Sequence, residues 1–443
     1  MSDLFKKISD SQVVNNDVDL ENEKKIAKEE IQKKLPTYTN FENLFGVTDD
    51  KDLRRIKGYM AQIIGKTKTK LKSYEIDHLI DELASEITSL GRLTPLVEDI
   101  TISEIMINGP KDIWIERGGN LIKSEIEYED DSQLMEMAVR IARNIGRNID
   151  KSHPEVDARL PDGSRVHIII PPVARKGVTI TIRKFFKERL TIEDLVNKET
   201  ITPEMARFLK ALVYGKANIV VSGGTGSGKT TTLNVISNFI PDGERVITIE
   251  DSAELQINSA HLVSLETKNA NNEGLGEVNI EKLVRASLRM RPDRIIVGEV
   301  RDHTAYDLLN AMNTGHEGSM STVHSNDPIS CITRLSNLIK QSGLGHTDET
   351  VKGLIGQSID AIIQISRMRN GSRKVTHISL IDLDKDGLVV INDIYRYTNH
   401  RNKNGEMEFG FIRTNQELTQ RMIEKFSEAE INPLLFKASG LER

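Results

Sequence analysis

At 443 residues the chain is too long for one hydrophobic core and implies two or three domains. A net charge of -6 with 28% charged residues describes an ordinary soluble protein, with no general reason to expect nucleic acid as the main partner. The single cysteine, Cys331, excludes an intrachain disulfide framework and a four-cysteine zinc site, and no apolar run approaches the roughly 18 residues that span a bilayer.

One cysteine fits a reducing cytoplasm, and the polar N-terminus is unlike a signal peptide, so membrane contact is expected only through partners. Residues 1–50 read as a flexible charged tail with one exposed helix near Leu20 to Leu35, ended by Pro36. Residues 51–92 read as a helical region: Ile76, Leu79, Ile80, Leu83, Ile87 and Leu90 recur at helical intervals, and Gly91 stands where a C-terminal cap belongs. The run Lys66, Lys68, Lys70, Lys72 reads as a solvated face.

Residues 93–184 mix strands and a helix as a small α/β domain. Strands are expected over 104–107 and 113–116, the second joined through Gly118-Gly119-Asn120 to one over 121–126. Asp131 or Ser132 caps a helix with Leu134, Met137, Ile141 and Ile145 on its buried face, ending at Gly146. A Pro161-Asp162-Gly163 turn precedes strands over 166–170 and 178–183, and residues 185–202 read as a linker.

From Thr202-Pro203 the pattern alternates strand and helix as a parallel sheet demands, and residues 203–443 form one α/β domain. Its landmark is Gly223-Gly224-Thr225-Gly226-Ser227-Gly228-Lys229-Thr230, followed by Thr231, which fits G-x-x-x-x-G-K-[ST] at every fixed position. An apolar run precedes this stretch and a helical pattern with Leu233 and Ile236 follows it, the strand–loop–helix order of a phosphate-binding loop. In such a loop glycines let backbone N–H groups turn in on phosphate oxygens, Lys229 reaches the β- and γ-phosphates, and Thr230 offers a hydroxyl to Mg²⁺. Further strands are expected over 245–250, 262–266, 294–299 and 319–323, β-like runs over 361–365, 375–383 and 388–397, and a last helix over 416–429.

Carboxylates stand where a parallel sheet binds ligands, at the C-terminal ends of its strands. Glu250, Asp251 and Glu254 follow one apolar strand and can orient water or a hydrated metal. Glu299 closes Arg294-Ile295-Ile296-Val297-Gly298-Glu299 in the form of a Walker B element, placing it near Mg²⁺ or the attacking water. His324 ends a third strand on the same edge, a position suited to sensing a γ-phosphate. Arg159, Arg165 and Arg183 are candidate arginine fingers, with Arg285 and Arg289 competing. Asp382-x-Asp384-x-Asp386-Gly387 opens like a calcium loop, but Asp393 stands where Glu is needed; Asp386-Gly387 reads as a hairpin turn.

Together these elements resemble the secretion ATPase superfamily of type II and type IV secretion and type IV pilus motors. Thr248-Ile249-Glu250-Asp251-Ser252-Ala253-Glu254-Leu255 is similar to its Asp box, and Gly315-His316-Glu317-Gly318-Ser319 through Thr322-Val323-His324-Ser325-Asn326 to its His box. Glu104-Ile105-Met106-Ile107-Asn108-Gly109-Pro110 and Val156-Asp157-Ala158-Arg159-Leu160-Pro161-Asp162-Gly163-Ser164-Arg165 resemble most closely the CpaF-type ATPase of tight-adherence (Tad/Flp) pili. The resemblance implies a RecA-like P-loop motor domain behind a PAS-like N-terminal domain, ATP and Mg²⁺ as cofactors, and a hexameric ring. It implies a cytoplasmic location, peripheral to the inner membrane, on pilus or secretion platform proteins. It also implies Glu254 as the general base, with Glu250 second. A type IV secretion or conjugation ATPase is the alternative within the superfamily; outside it the alternatives are a nucleotide-dependent scaffold with little turnover and, on fold alone, a recombinase or helicase. No N-K-x-D motif supports a GTPase and no L-S-G-G-Q supports an ABC ATPase.

Overall fold

The computed structural model describes residues 23–39, 50–67, 69–88, 90–144, 147–160, 162–185, 190–268, 275–401 and 407–436. The chain divides into two compact units, Met1–Lys187 and Glu188–Arg443.

In the first unit, a helix over residues 23–34 (α1) packs with α2 (Asp50–Gly65) and α3 (Ser73–Thr88). Ala27, Ile31 and Leu35 share a buried cluster with Ile56, Met60, Ile63, Leu79, Ile80 and Leu83. The three- and four-residue spacing places each set on one helix face. This corrects the expectation of an exposed helix in a tail: α1 carries too narrow an apolar stripe to stand out against its charged neighbours, yet that stripe is buried. Helix α3 ends at Thr88, and Gly91 opens a short 3-10 turn, Gly91–Leu93, instead of capping it. The rest of the expected tail, Lys68, Ile145, Gly146, Pro161 and residues 186–189 lie outside the described residues.

After α4 (Thr94–Glu98) come β1 (Ile102–Ile107), β2 (Ile113–Arg117), β3 (Asn120–Lys123), α5 (Asp131–Asn144), β4 (Glu155–Arg159), β5 (Arg165–Ile169) and β6 (Thr179–Arg183). The strands pair antiparallel throughout, in the order β3-β2-β1-β6-β5-β4. Alternation sends Ile105, Ile107, Val166, Ile168, Ile180 and Ile182 into one core with Leu134, Met137 and Ile141 of α5. The cap of α5 is Asp130, whose Oδ1 accepts from the N–H of Ser132 and Gln133. That is one residue earlier than the sequence reading placed it.

The second unit contains α6 (Ile192–Asn197), closed by a Thr191/Asp194 capping box inside the expected linker, and α7 (Pro203–Tyr214), capped by Thr202. Then follow β7 (Ile219–Gly223), α8 (Lys229–Ser237), β8 (Val246–Glu250), β9 (Leu262–Glu266), α9 (Ile280–Ser287), β10 (Arg294–Val300), α10 (Thr304–Asn313) and β11 (Met320–His324). The remainder is α11 (Pro328–Lys340), α12 (Asp348–Ser358), β12 (Ala361–Arg367), β13 (Arg373–Leu383), β14 (Val389–Arg401), β15 (Met407–Arg413) and α13 (Gln420–Glu428). The sheet order is β15-β14-β13-β12-β7-β11-β10-β8-β9.

From β12 to β9 every pairing is parallel; from β12 outward to β15 every pairing is antiparallel. The sheet is therefore mixed rather than purely parallel. Ile219, Val221 and Ile363 face one core with Phe208, Leu233 and Ile236, while Val220, Ile247, Ile295 and Ile362 face the other with Leu308 and Leu335. Burial on both faces is why β7, β8 and β10 read as near-continuous apolar runs. Because these strands are parallel, the loops leaving β7, β8, β10 and β11 emerge at one edge of the sheet.

Candidate functional site

Gly223 ends β7 and Lys229 begins α8, so five residues reverse the chain between strand and helix. A Cβ on Gly223 would stand 2.4 Å from the Ile365 carbonyl oxygen and 2.5 Å from Ser227 Oγ, so no other residue fits. Gly226 and Gly228 adopt φ +67° and +97°, and Gly228 occupies the N-cap of α8 without a side-chain cap. Ser227 Oγ and Lys229 Nζ both donate to the Gly224 carbonyl, at 2.8 and 3.0 Å. Thr230 is half-buried, and Thr225 and Thr231 are exposed. A helix N-terminus without a side-chain cap, entered through a loop that tolerates no Cβ at its base, is a cradle that fits phosphate oxygens.

The loop after β8 is tied to this cradle. Asn234 and Asn238, one turn apart on α8, accept through Oδ1 from the N–H of Gln256 and Asn258, each at 2.8 Å. Glu250 is 4% exposed, and its Oε1 accepts from the N–H of Glu254 and Leu255 at 2.9 and 3.0 Å. Its carboxylate thus holds the turn that carries Glu254. Across the sheet Val297 pairs with Ile249, and a Cβ on Gly298 would stand 3.0 Å from Glu250 Cγ. Gly298 also accepts at its carbonyl from Thr322 Oγ1, 2.7 Å away and buried, which fastens β10 to β11.

Glu299 projects from the end of β10, where Arg301 Nη2 lies 2.6 Å from its Oε2. Arg301 Nη1 is also 3.7 Å from Asp251 Oδ2. The Glu299 hydrogen bond and the negative charges of Glu299, Asp251 and Glu254 raise the guanidinium pKa further above its usual value. Acids from two strands are thus gathered around one arginine that the sequence reading did not single out. Asn234 and Asn238 escaped it too, since nothing in sequence separates them from solvent-facing helix residues. His324 is the register partner of Gly223, level with the base of the loop and exposed. Among the other candidates, Arg285 binds Glu281 at 2.7 Å and Asp307 at 3.2 Å on the outer helices, an ordinary surface arrangement, and Arg289 is exposed.

Arg159, Arg165 and Arg183 belong to the first unit. Arg159 pairs with Arg165 across β4 and β5, and Arg165 with Arg183 across β5 and β6, so the three form one row on the sheet face opposite its core. Glu104 continues the row on β1. At the expected calcium-like stretch, Asp384 Oδ1 accepts from the N–H of Asp386 and Leu388, and Gly387 has φ +76°. That carboxylate closes a hairpin turn.

The sequence profile of the Type II/IV secretion system protein family matches residues 86–408. The Type IV secretion system protein VirB11 of Bartonella henselae is 33% identical over 337 residues, covering 68% of this chain and 94% of that protein. The Conjugal transfer protein TrbB of Rhizobium radiobacter is 34% identical over 298 residues, covering 66% of this chain and 88% of that protein. Among solved structures, the VirB11 ATPase of the Brucella suis type IV secretion system, in complex with sulphate, is 28% identical with a TM-score of 0.36, covering 66% of this chain and 93% of that one.

Proposed function

This chain belongs to the Type II/IV secretion system protein family and is an ATP-hydrolysing enzyme, and from that premise we propose that it is a traffic ATPase of the type IV secretion and conjugation kind. It converts ATP hydrolysis into movement of protein or DNA substrates through a membrane machine. The observation that carries this reading is the union, at one sheet edge, of an uncapped glycine-loop helix with the Glu254 turn and Glu299. The naming of relatives for type IV secretion and conjugal transfer supports that branch over the Tad/Flp pilus reading. The Glu104–Pro110 and Val156–Arg165 stretches keep the pilus reading as the second one.

In this reading the second unit is a RecA-like P-loop motor, and residues 93–184 of the first are a PAS-like domain. Backbone N–H groups at the start of α8 bind the phosphates, and Lys229 exchanges the Gly224 carbonyl for phosphate oxygens. Thr230 and Glu299 would hold Mg²⁺, which, when bound, offsets charge on the β- and γ-phosphates. Glu254 is the general base: it accepts the proton of the attacking water, while Glu250 keeps its backbone in place. His324 senses the γ-phosphate. One or more of Arg159, Arg165 and Arg183 act as arginine fingers within a hexameric ring. The ring works at the cytoplasmic face of the inner membrane through platform proteins. No helix among the described residues is long and apolar enough to cross a membrane.

The test is genetic. A host strain carrying Lys229→Ala in place of the native chain should lose substrate transfer and keep its surface pili. Loss of pili with transfer intact would replace this reading with the Tad/Flp one.

A further inference from the structure

We propose that Arg367 and Arg373 bind the phosphates of the nucleotide from the same chain, forming with Lys229 a three-cation cluster at the start of α8. This rests on the reading of the glycine loop as the phosphate site, and it adds two residues that the loop motif does not contain.

Strand β12 runs beside β7 with Ile365 opposite Gly223, so Arg367 lies two residues beyond the base of the glycine loop. Ile363 and Ile365 face the core that includes Leu233 and Ile236 of α8, and alternation puts Arg367 on that same side. Val375 belongs to the same core, which places Arg373 there as well. The two arginines are register partners across β12 and β13. Both reach the loop: Arg367 Nη1 is 3.9 Å from the position of a Cβ on Gly226, and Arg373 Cγ is 4.0 Å from that on Gly228. Arg373 Nη1 donates to the Gly371 carbonyl at 3.3 Å, which braces that side chain against its own turn.

Two electrostatic penalties coincide here. Like charges directly opposite on paired strands repel, and cations near a helix N-terminus oppose the positive end of its dipole. Lys229, Arg367 and Arg373 together bear both. A polyphosphate reverses the sign of each penalty at once, and arginine forks match phosphate oxygens two at a time. The chemical class of ligand is therefore a nucleoside di- or triphosphate, held on the β12 side of the loop, across β7 from the acids that follow β8 and β10.

The experiment uses the full chain with fluorescently labelled ADP and ATP in equilibrium titrations, plus thermal melting with and without ADP. Arg367→Gln and Arg373→Gln are each expected to weaken ADP binding by about tenfold, the scale of one charge-assisted hydrogen bond. Arg367→Lys should recover part of that loss. With saturating ADP, each glutamine variant should gain less in melting temperature than the wild type gains. Unchanged affinity in both, with Lys229→Ala still losing binding, overturns the proposal and leaves the loop reading standing. An ADP-induced rise in melting temperature equal to wild type in both variants also overturns it. Wild-type ADP affinity in Lys229→Ala would sink both.

Discussion

Substituting Glu250 separates two mechanisms, one in which it positions Glu254 and one in which it accepts the proton. Its buried carboxylate accepts from two backbone N–H groups, of Glu254 and Leu255. A hydrogen bond to a charged acceptor contributes about 1.5–3 kcal/mol, and leaving a buried donor unsatisfied costs about 1–3 kcal/mol. Glu250→Ala removes the one oxygen that accepts both bonds, so the turn carrying Glu254 loses about 2–4 kcal/mol of local order. At about 1.4 kcal/mol per factor of ten, kcat should fall about 30-fold or more. Glu250→Gln keeps a carbonyl oxygen that accepts both bonds, and should lose less than about tenfold. Steady-state phosphate release with saturating Mg-ATP reads both variants. If Glu250 were the proton acceptor, glutamine would be as inactive as alanine, and equal inactivity of the two would refute the positioning role.

Three further outcomes follow from the packing and the charges. Gly318→Ala puts a methyl 2.6 Å from Arg294 Nη1 at φ +80°, and that guanidinium cannot yield because Glu244 and the Val213 carbonyl hold it. Chemical denaturation should report a loss of about 2–4 kcal/mol. Arg421 bonds buried Asp360 at 2.9 Å and donates to the carbonyls of Gly356, Gln357, Ile359 and Ile381; Lys425 still pairs with Asp360 at 3.2 Å, so Arg421→Ala should lower stability by about 1–3 kcal/mol by the same method, through the carbonyls left without a donor. Hydrogen bonds from Thr101 and the Arg117 guanidinium lower the Asp99 pKa from 3.8 to about 2. A depressed carboxylate pKa stabilises the fold above the unfolded value and loses that contribution as pH falls through the folded one. The gap in unfolding midpoint between wild type and Asp99→Asn should therefore be full above pH 4 and close toward pH 2.

The parts of this molecule legible in sequence are those where one residue type alone satisfies the backbone. The glycine loop is legible because φ values of +67° and +97° and a missing Cβ at Gly223 leave no substitute. Strands β7, β8 and β10 are legible because burial on both faces demands unbroken apolar runs. Strand β4 is hidden: only Val156 is fully buried among Glu155, Asp157 and Arg159, and such a pattern reads as loop. Strand β15 is similarly obscured by Gly410 and the exposed Met407, Glu408 and Phe409, and α12 by two internal glycines. In the site, sequence names the acids without saying which atoms they hold. The carboxylate of Glu250 is committed by a turn four residues long, and the pairing of Glu299 with Arg301 depends on how the chain leaves β10. Neither geometry has a compositional signature.

The central claim is that this sheet edge cleaves ATP by means of Lys229 and Glu254. Phosphate release by the purified full-length chain, measured beside Lys229→Ala and Glu254→Gln at saturating Mg-ATP, tests it most directly. Steady turnover is expected in wild type and a fall of at least about 100-fold in each variant; turnover equal to wild type in either variant would refute these roles.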